Sequence, residues 1–557
     1  MDRRTMERGV SFGWHWWLAH QCAKMPRVTG GRATSATPAI SLALALLACL
    51  GCSPQAPSEA PPAASPPAGS TASAATESAG PAAEKPAPFR EYWEEHFIKG
   101  AKIGHTHTAY FHEQVASERL VRIESQVTMV LTRADQRIEQ SLDNVSWETE
   151  AGDVRRFRHA MNVGGSQQLT RGTVVGREAT LTLVTAGKAT TSSIPWPEGT
   201  RGESGANDEL RRRPLRPGES RTIAMFVPVL NQIAQVAMSA RGREPTQLAG
   251  NETRELLRVD MQAELPGGIR LPTTVWVDEQ GETWKSYMPG LEQTTLRTSA
   301  ERATANDPQG LKLDIGFAAK VPTNPPLAKA HDTKLVRYRI ALDGGDPASV
   351  FLNAESQRVR RLDDGTAEVT VVALRPDSPR AADMKIVPPT DGDRLPNNWI
   401  QSDDPNVVKL AAEAAGDATD PWEIGVRMEQ HLRTRWHSLP ISSAFATAAD
   451  AAKTLTGDCT EFAVLLTAML RARGIPAKTA IGLVYVDREQ AFLYHMWTEA
   501  YIADRWLPLD AAWGRGGTSA AYLKIAETNL AGVDPLAAML PVAQVMGKLR
   551  IEVLEQR

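Results

Sequence analysis

The chain has 557 residues, 42% hydrophobic and 23% charged, a globular balance with room for roughly two to four domains that excludes a collagen, a wholly disordered chain or a multi-span membrane protein. Its 62 Lys+Arg against 65 Asp+Glu promise no strongly basic surface, so a nucleic-acid partner is not expected. Four cysteines, Cys22, Cys49, Cys52 and Cys459, are too few for a disulfide-built scaffold, and they form no pair of Cys-x-x-Cys motifs for a zinc site.

Residues 39–51 (AISLALALLACLG) form an apolar run of 13, too short to span a bilayer and suited to the core of a secretory signal. Arg27 and Arg32 supply the positive flank. The stretch before Met25 carries Trp14, Trp16 and Trp17 and fits no signal peptide, which points to a translation start at Met25. Leu46-Leu47-Ala48-Cys49 resembles the lipobox of bacterial lipoproteins, where the cysteine after the cleavage site is diacylated. The resemblance implies a signal peptide over residues 1–52 and lipidation at Cys49. Cys52, preceded by Cys49-Leu50-Gly51, is the alternative, because the pattern prefers Leu three places upstream. A plain secretory signal with incidental cysteines is the competing reading. Loss of residues 1–48 removes six basic and two acidic residues, leaving 56 against 63 and a mildly acidic mature chain.

Residues 53–88 are nearly all Pro, Ala, Ser, Gly, Thr and Glu and cannot bury enough surface to fold. At about 3.1 Å per residue such a spacer reaches on the order of 100 Å. It suits a tether that holds a folded body away from a membrane of the cell envelope, at the periplasm or the cell surface.

From residue 89 to 325 apolar and polar residues alternate in short runs broken by Gly, Asp and Asn. Residues 127–131 (VTMVL), 174–183 and 275–284 read as strands or hairpins, and the whole predicts a large, curved antiparallel β-domain. The amphipathic stretch 228–239 (PVLNQIAQVAMS) predicts one helix packed on it. The Gly-, Pro- and Arg-rich stretch 197–217, with Arg211, Arg212 and Arg213 in a row, reads as solvated surface. Strand geometry puts His105 and His107 on one face, but no cysteine lies near in sequence and a half-exposed polar face explains the pair, so no metal is expected.

Residues 326–400 read as a small β-module. Asp363-Asp364-Gly365-Thr366 joins two strand-like segments, and Asp-Gly supplies the positive φ that a tight turn demands.

In residues 401–557 the apolar period changes from two to about 3.6. Helices are predicted over 406–415, 421–433 and 447–454. A further one follows Asp458, where Glu461 three residues on completes a capping-box pattern, Phe462, Leu465, Leu466, Met469 and Leu470 form an apolar stripe, and Gly474 ends the helix. Cys459 therefore sits in the first helical turn. The helix dipole there favours an anion by only about 0.3–1 kcal/mol, too little to activate a thiol whose ordinary pKa is about 8.5, and a neighbouring His⁺ is the usual supplement. Residues 494–502 (YHMWTEAYI) read as a strand with His495, Trp497 and Glu499 on one face. A turn at Asp504-Arg505 leads back through Trp506-Leu507-Pro508-Leu509, so Asp510 can lie beside His495 and orient its imidazole.

Gly457-Asp458-Cys459-Thr460-Glu461, Arg471-Ala472-Arg473-Gly474-Ile475-Pro476-Ala477, His495-Met496-Trp497-Thr498-Glu499 and Trp506-Leu507-Pro508-Leu509-Asp510 together resemble the core of the transglutaminase-like superfamily, papain-related enzymes whose Cys, His and Asp occur in that order. The resemblance spans about residues 400–520 and implies a C-terminal α+β domain with Cys459 as nucleophile, His495 as general base and acid, and Asp510 as orienting carboxylate. Family members complete an oxyanion hole with an aromatic or amide side chain upstream of the cysteine, and Trp436 is the candidate here. The activity implied is acyl transfer, deamidation or proteolysis on a protein or peptide substrate through a thioester, with no cofactor. The alternative is a noncatalytic envelope lipoprotein that keeps the fold for binding or scaffolding. The folded body beyond residue 88 contains one cysteine, Cys459, and so can form no disulfide within itself.

Overall fold

The computed structural model describes residues 86–133, 136–163, 166–185, 188–266, 269–289, 292–305, 320–363, 365–380, 386–436, 446–531 and 535–557. The expected signal segment, Met25, Cys49, Cys52 and the expected linker up to residue 85 lie outside the described residues. Among the described residues no helix is long and apolar enough to cross a membrane.

A first meander runs through β1 (Arg90–Ile98), β2 (Ala101–Val115), β3 (Glu118–Arg133), β4 (Gln136–Glu148), β5 (Val154–Val163), β6 (Ser166–Val175), β7 (Glu178–Thr185) and β8 (Lys188–Pro195). A second runs through β9 (Ser220–Val227), β10 (Gln232–Gln247), β11 (Thr253–Leu265), β12 (Ile269–Val277), β13 (Thr283–Met288) and β14 (Gln293–Thr298). Pairing of β1 with β14, from Trp93 opposite Thr298 to Ile98 opposite Gln293, joins them into one antiparallel sheet of fourteen strands. Its two ends approach each other. Phe157 of β5 lies 4.4 Å from Phe226 of β9, Trp196 lies 5.3 Å from the same ring, and Arg201 bridges to Met225. The expected large antiparallel β-domain is therefore present, and it is curved.

Two local expectations for this domain fail. The stretch 228–239 is a single 3₁₀ turn, Pro228–Leu230, followed by strand β10, whose Ala234, Val236, Met238 and Ala240 point inward at period two. Its apolar residues also match a helical period, and only the flanking strands β9 and β11 settle the choice. The supposed surface stretch 197–217 contains helix α1 (Gly205–Arg212), which buries Ala206 and Leu210 in the core. Arg211 faces Asp208 at 3.6 Å, and Arg213 faces Glu209 at 3.4 Å.

The second sheet contains β15 (Val321–Asn324), β16 (Leu335–Leu342), β17 (Gln357–Asp363), β18 (Thr366–Val372), β19 (Ala477–Val486), β20 (Ala491–Ile502), β21 (Arg505–Leu509), β22 (Tyr522–Thr528) and β23 (Leu549–Gln556). Its order is β17-β18-β16-β23-β15-β20-β19-β22, with β21 on the other part of β20. The predicted hairpin at Asp363 is β17–β18. Its module, however, is continuous with the C-terminal domain. The chain's last strand, β23, pairs with β16 on one side and β15 on the other, and β15 also pairs with β20. An unpaired strand edge leaves a row of N–H and C=O groups without partners, and β23 fills that edge.

The helices of this domain are α2 (Pro405–Ala415), α3 (Pro421–Arg435), α4 (Ala448–Thr454), α5 (Cys459–Ala472) and α6 (Pro535–Val545). The caps Asp404, Asp420, Thr447 and Asp458 each accept a first-turn backbone N–H, which satisfies donors that a helix start would otherwise leave unpaired. The stripe Phe462, Leu465, Leu466, Met469 and Leu470 is buried, and α5 packs across β20. There the Thr498 hydroxyl donates to the Ala463 carbonyl at 3.0 Å and meets the Thr467 hydroxyl at 3.2 Å. Helix α6 touches β22 of this sheet and β12 of the other.

Candidate active site

Cys459 opens α5 and is 2% exposed. The capping box is complete. The Asp458 carboxylate accepts the Thr460 N–H at 2.8 Å, and Glu461 reaches back to the Asp458 N–H at 2.9 Å. Glu461 also accepts the Ala446 N–H at 2.8 Å, which ties the segment before α4 to the start of the cysteine helix. Burial, and after it the Asp458 charge, push the Glu461 carboxyl up to about 8.

The chain's other three cysteines lie outside the described residues. Cys459 is the one cysteine of the folded body by sequence. Nucleophilic chemistry at this position needs the thiolate, which the reduced chain supplies.

Trp436 is the residue after α3. Its ring stacks on Phe462 with centroids 4.0 Å apart, and its indole N–H donates to the Gly457 carbonyl at 3.1 Å. The sequence candidate for the oxyanion donor thus lies against the first turn of the cysteine helix, with its N–H directed at the backbone two residues before Cys459.

His495 and Asp510 are brought together. β20 and β21 are antiparallel, with Thr498 opposite Leu509, which puts Asp510 just past the end of β21 and next to the His495 face of β20. The Nε2–H of His495 donates to Asp510 Oδ2 at 2.6 Å, and both residues are nearly fully buried. A carboxylate has no proton to give, so the proton of this bond sits on Nε2, and in the neutral ring Nδ1 is the basic nitrogen.

Two side-chain partners of Asp510, Tyr522 and Glu429, carried no motif. The Tyr522 hydroxyl, on β22, donates to the same Oδ2 at 2.8 Å, and the Ala512 N–H donates to Oδ1 at 2.9 Å. Glu429, fully buried on α3, accepts the Asp510 N–H at 2.7 Å and the Gly516 N–H at 2.6 Å, with the Gly517 N–H at 3.2 Å. Burial raises the Glu429 carboxyl to about 7, and the nearby Asp510 charge acts in the same direction. The only hint in sequence was its setting: a Glu one turn after Gly425, on the face of α3 that carries Met428 and Leu432 into the core.

The same sheet face carries a buried ion cluster. Lys524 donates to both oxygens of Glu499 at 2.9 Å and to Glu527 at 2.8 Å. His105 and His107 are far simpler. His107 stacks on Trp93 at 4.1 Å and meets Glu91 at 2.9 Å. Among the described residues no group of three or more His, Cys, Asp or Glu side chains is arranged to hold a metal.

Residues 408–511 match the family model described as the transglutaminase-like superfamily, so this part of the chain is a transglutaminase-like domain. The chain is also similar to several solved structures. One is a candidate cysteine protease from Cytophaga hutchinsonii, 18% identical over 40% of this chain and 86% of that one, with a TM-score of 0.26. Another is a candidate protease from Parabacteroides distasonis, 12% identical over 64% and 68%, with a TM-score of 0.18. A third is a β-barrel-like protein from Brucella abortus, 9% identical over 37% and 94%, with a TM-score of 0.29. Likenesses this low carry no argument about function. No curated protein matches the chain.

Proposed function

We propose that the reduced protein is a cysteine enzyme acting on amide bonds of a protein or peptide substrate, with Cys459 as nucleophile, His495 as general base and acid, and Asp510 as orienting carboxylate. The observation that carries the reading is the His495–Asp510 hydrogen bond of 2.6 Å, buried on the strand that packs against the Cys459 helix. Nδ1 of His495 takes the thiol proton, and the Cys459 thiolate attacks the amide carbonyl carbon. As the tetrahedral intermediate collapses, the C–N bond breaks and the imidazolium returns its proton to the leaving amine. The resulting thioester is released by water or by an amine, whose proton His495 accepts. The Cys459 backbone N–H is one oxyanion donor in this scheme. Trp436 supplies a second only if its indole leaves the Gly457 carbonyl when substrate binds.

The proposal extends to the whole chain as an exported envelope lipoprotein anchored through Cys49, with Cys52 as the alternative, and with the Pro/Ala/Ser segment as its tether. The alternative is the noncatalytic envelope scaffold. The pH dependence of Cys459 alkylation in the reduced chain separates the two. A nucleophilic site predicts alkylation well below about pH 8 that is lost in His495→Ala. A thiol reacting only above about pH 8 in both proteins sinks the catalytic reading. Incubation with envelope extract and a labelled amine, against Cys459→Ala, then distinguishes transamidation, seen as incorporation, from proteolysis, seen as fragments without it.

A further inference from the structure

We infer that Tyr522 is a positioning residue for the His495–Asp510 pair, one that holds the shared carboxylate oxygen in place and tempers its pull on the imidazole. The inference rests on the catalytic reading of that pair. The Tyr522 hydroxyl and the His495 Nε2–H converge on one oxygen, Oδ2, at 2.8 and 2.6 Å. Oδ1 is held separately by the Ala512 N–H at 2.9 Å, so the carboxylate cannot turn without breaking one of these bonds.

The ring that carries the hydroxyl is itself fixed. It stands edge-on to Trp497 with centroids 5.4 Å apart, to His495 at 6.0 Å and to His331 at 6.4 Å, and it packs with Ala480 and Val484. The charged groups that face it are Asp510 from the end of β21, Glu429 from α3 and Arg515 from the loop before β22, with the His331 ring opposite. A tyrosine present only to pack would need its hydroxyl satisfied by any acceptor. This one is directed at the oxygen that orients the base.

The consequence is electronic as well as geometric. A donor on Oδ2 draws charge away from the side of the carboxylate that faces His495. Its removal leaves that charge to the imidazolium, which becomes harder to deprotonate.

Tyr522→Phe keeps the ring and deletes the bond. In the reduced full-length chain, with ¹³C-labelled histidine and His495→Ala used to identify the resonance, the His495 titration midpoint should rise in Tyr522→Phe by about half a unit to one unit. The rise should vanish when Tyr522→Phe is combined with Asp510→Asn. An unchanged midpoint in a folded Tyr522→Phe protein overturns the inference, and so does a rise that persists in the Asp510→Asn background. Failure of the catalytic reading looks different: Cys459 alkylation in the wild-type chain is then indifferent to His495→Ala, whatever the His495 resonance does.

Discussion

Glu429 holds Asp510 by the backbone: one carboxylate oxygen receives the Asp510 N–H at 2.7 Å, while the other receives the Gly516 N–H at 2.6 Å. The carboxylate that orients His495 is thereby anchored to α3, a helix that carries none of the proposed catalytic groups.

Glu429→Ala strands three backbone donors, at Asp510, Gly516 and Gly517, the first and last of them buried. Each orphaned donor costs about 1–3 kcal/mol, so a large drop in melting temperature is expected. Glu429→Gln keeps one good acceptor but turns an NH₂ group toward backbone N–H groups, and it should lose turnover more than stability. Melting curves set beside alkylation rates of Cys459 check this. Equal stability and equal reactivity in both variants and the wild type would show that the clamp is idle.

Folding should weaken with rising pH at Glu461. Its carboxyl is raised from 4.5 to about 8, so the folded chain keeps a proton that the unfolded chain releases. The stability this contributes is complete below about pH 4.5 and is lost as pH rises through about 8. Glu461→Gln cannot titrate, and its unfolding free energy should fall less than that of the wild type between about pH 5 and about pH 8. Urea titrations across that range measure the difference, and parallel slopes would contradict the assignment.

Gly482 sits where β19 meets β22. A methyl group there would lie 1.9 Å from the Leu523 carbonyl oxygen, so Gly482→Ala must push apart the two strands, one of which carries Tyr522. Overpacking of this kind costs about 1–3 kcal/mol. The denaturation midpoint in urea should fall accordingly, and an unchanged midpoint would mean that the pair accommodates the methyl group.

Lys524→Met removes the cation between Glu499 and Glu527. Breaking a buried pair from one side costs about 3–5 kcal/mol because a charge is left uncompensated. Adding Glu499→Gln should restore part of the loss. A double variant no more stable than Lys524→Met would show that the charge on Glu499 is not what destabilises the single one.

Where neighbouring residues suffice, the sequence was legible. The change of period after residue 404, the Asp458 and Glu461 capping box, the Asp363 hairpin and the alternation along β20 all depend on groups within one turn or one strand of each other. The 228–239 stretch was not legible, because IAQVAM satisfies a strand and a helix equally well, and only pairing with β9 and β11 decided it. Nor does the sequence show that the sheet neighbour of the 326–400 module, β23, comes from far along the chain, since strand pairing at that distance has no local signal.

By itself the sequence determined that a cysteine opens a capped helix, that a histidine faces one side of a strand, and that an aspartate returns toward it across a tight turn. Those are local facts, set by hydrogen bonds over three or four residues and by strand alternation. Only the tertiary structure decided what holds the aspartate. Glu429 stands 81 residues upstream of it and Tyr522 on another strand of the sheet, and neither has a motif, because a buried carboxylate or phenol acquires its role from the donors and acceptors that packing brings within reach.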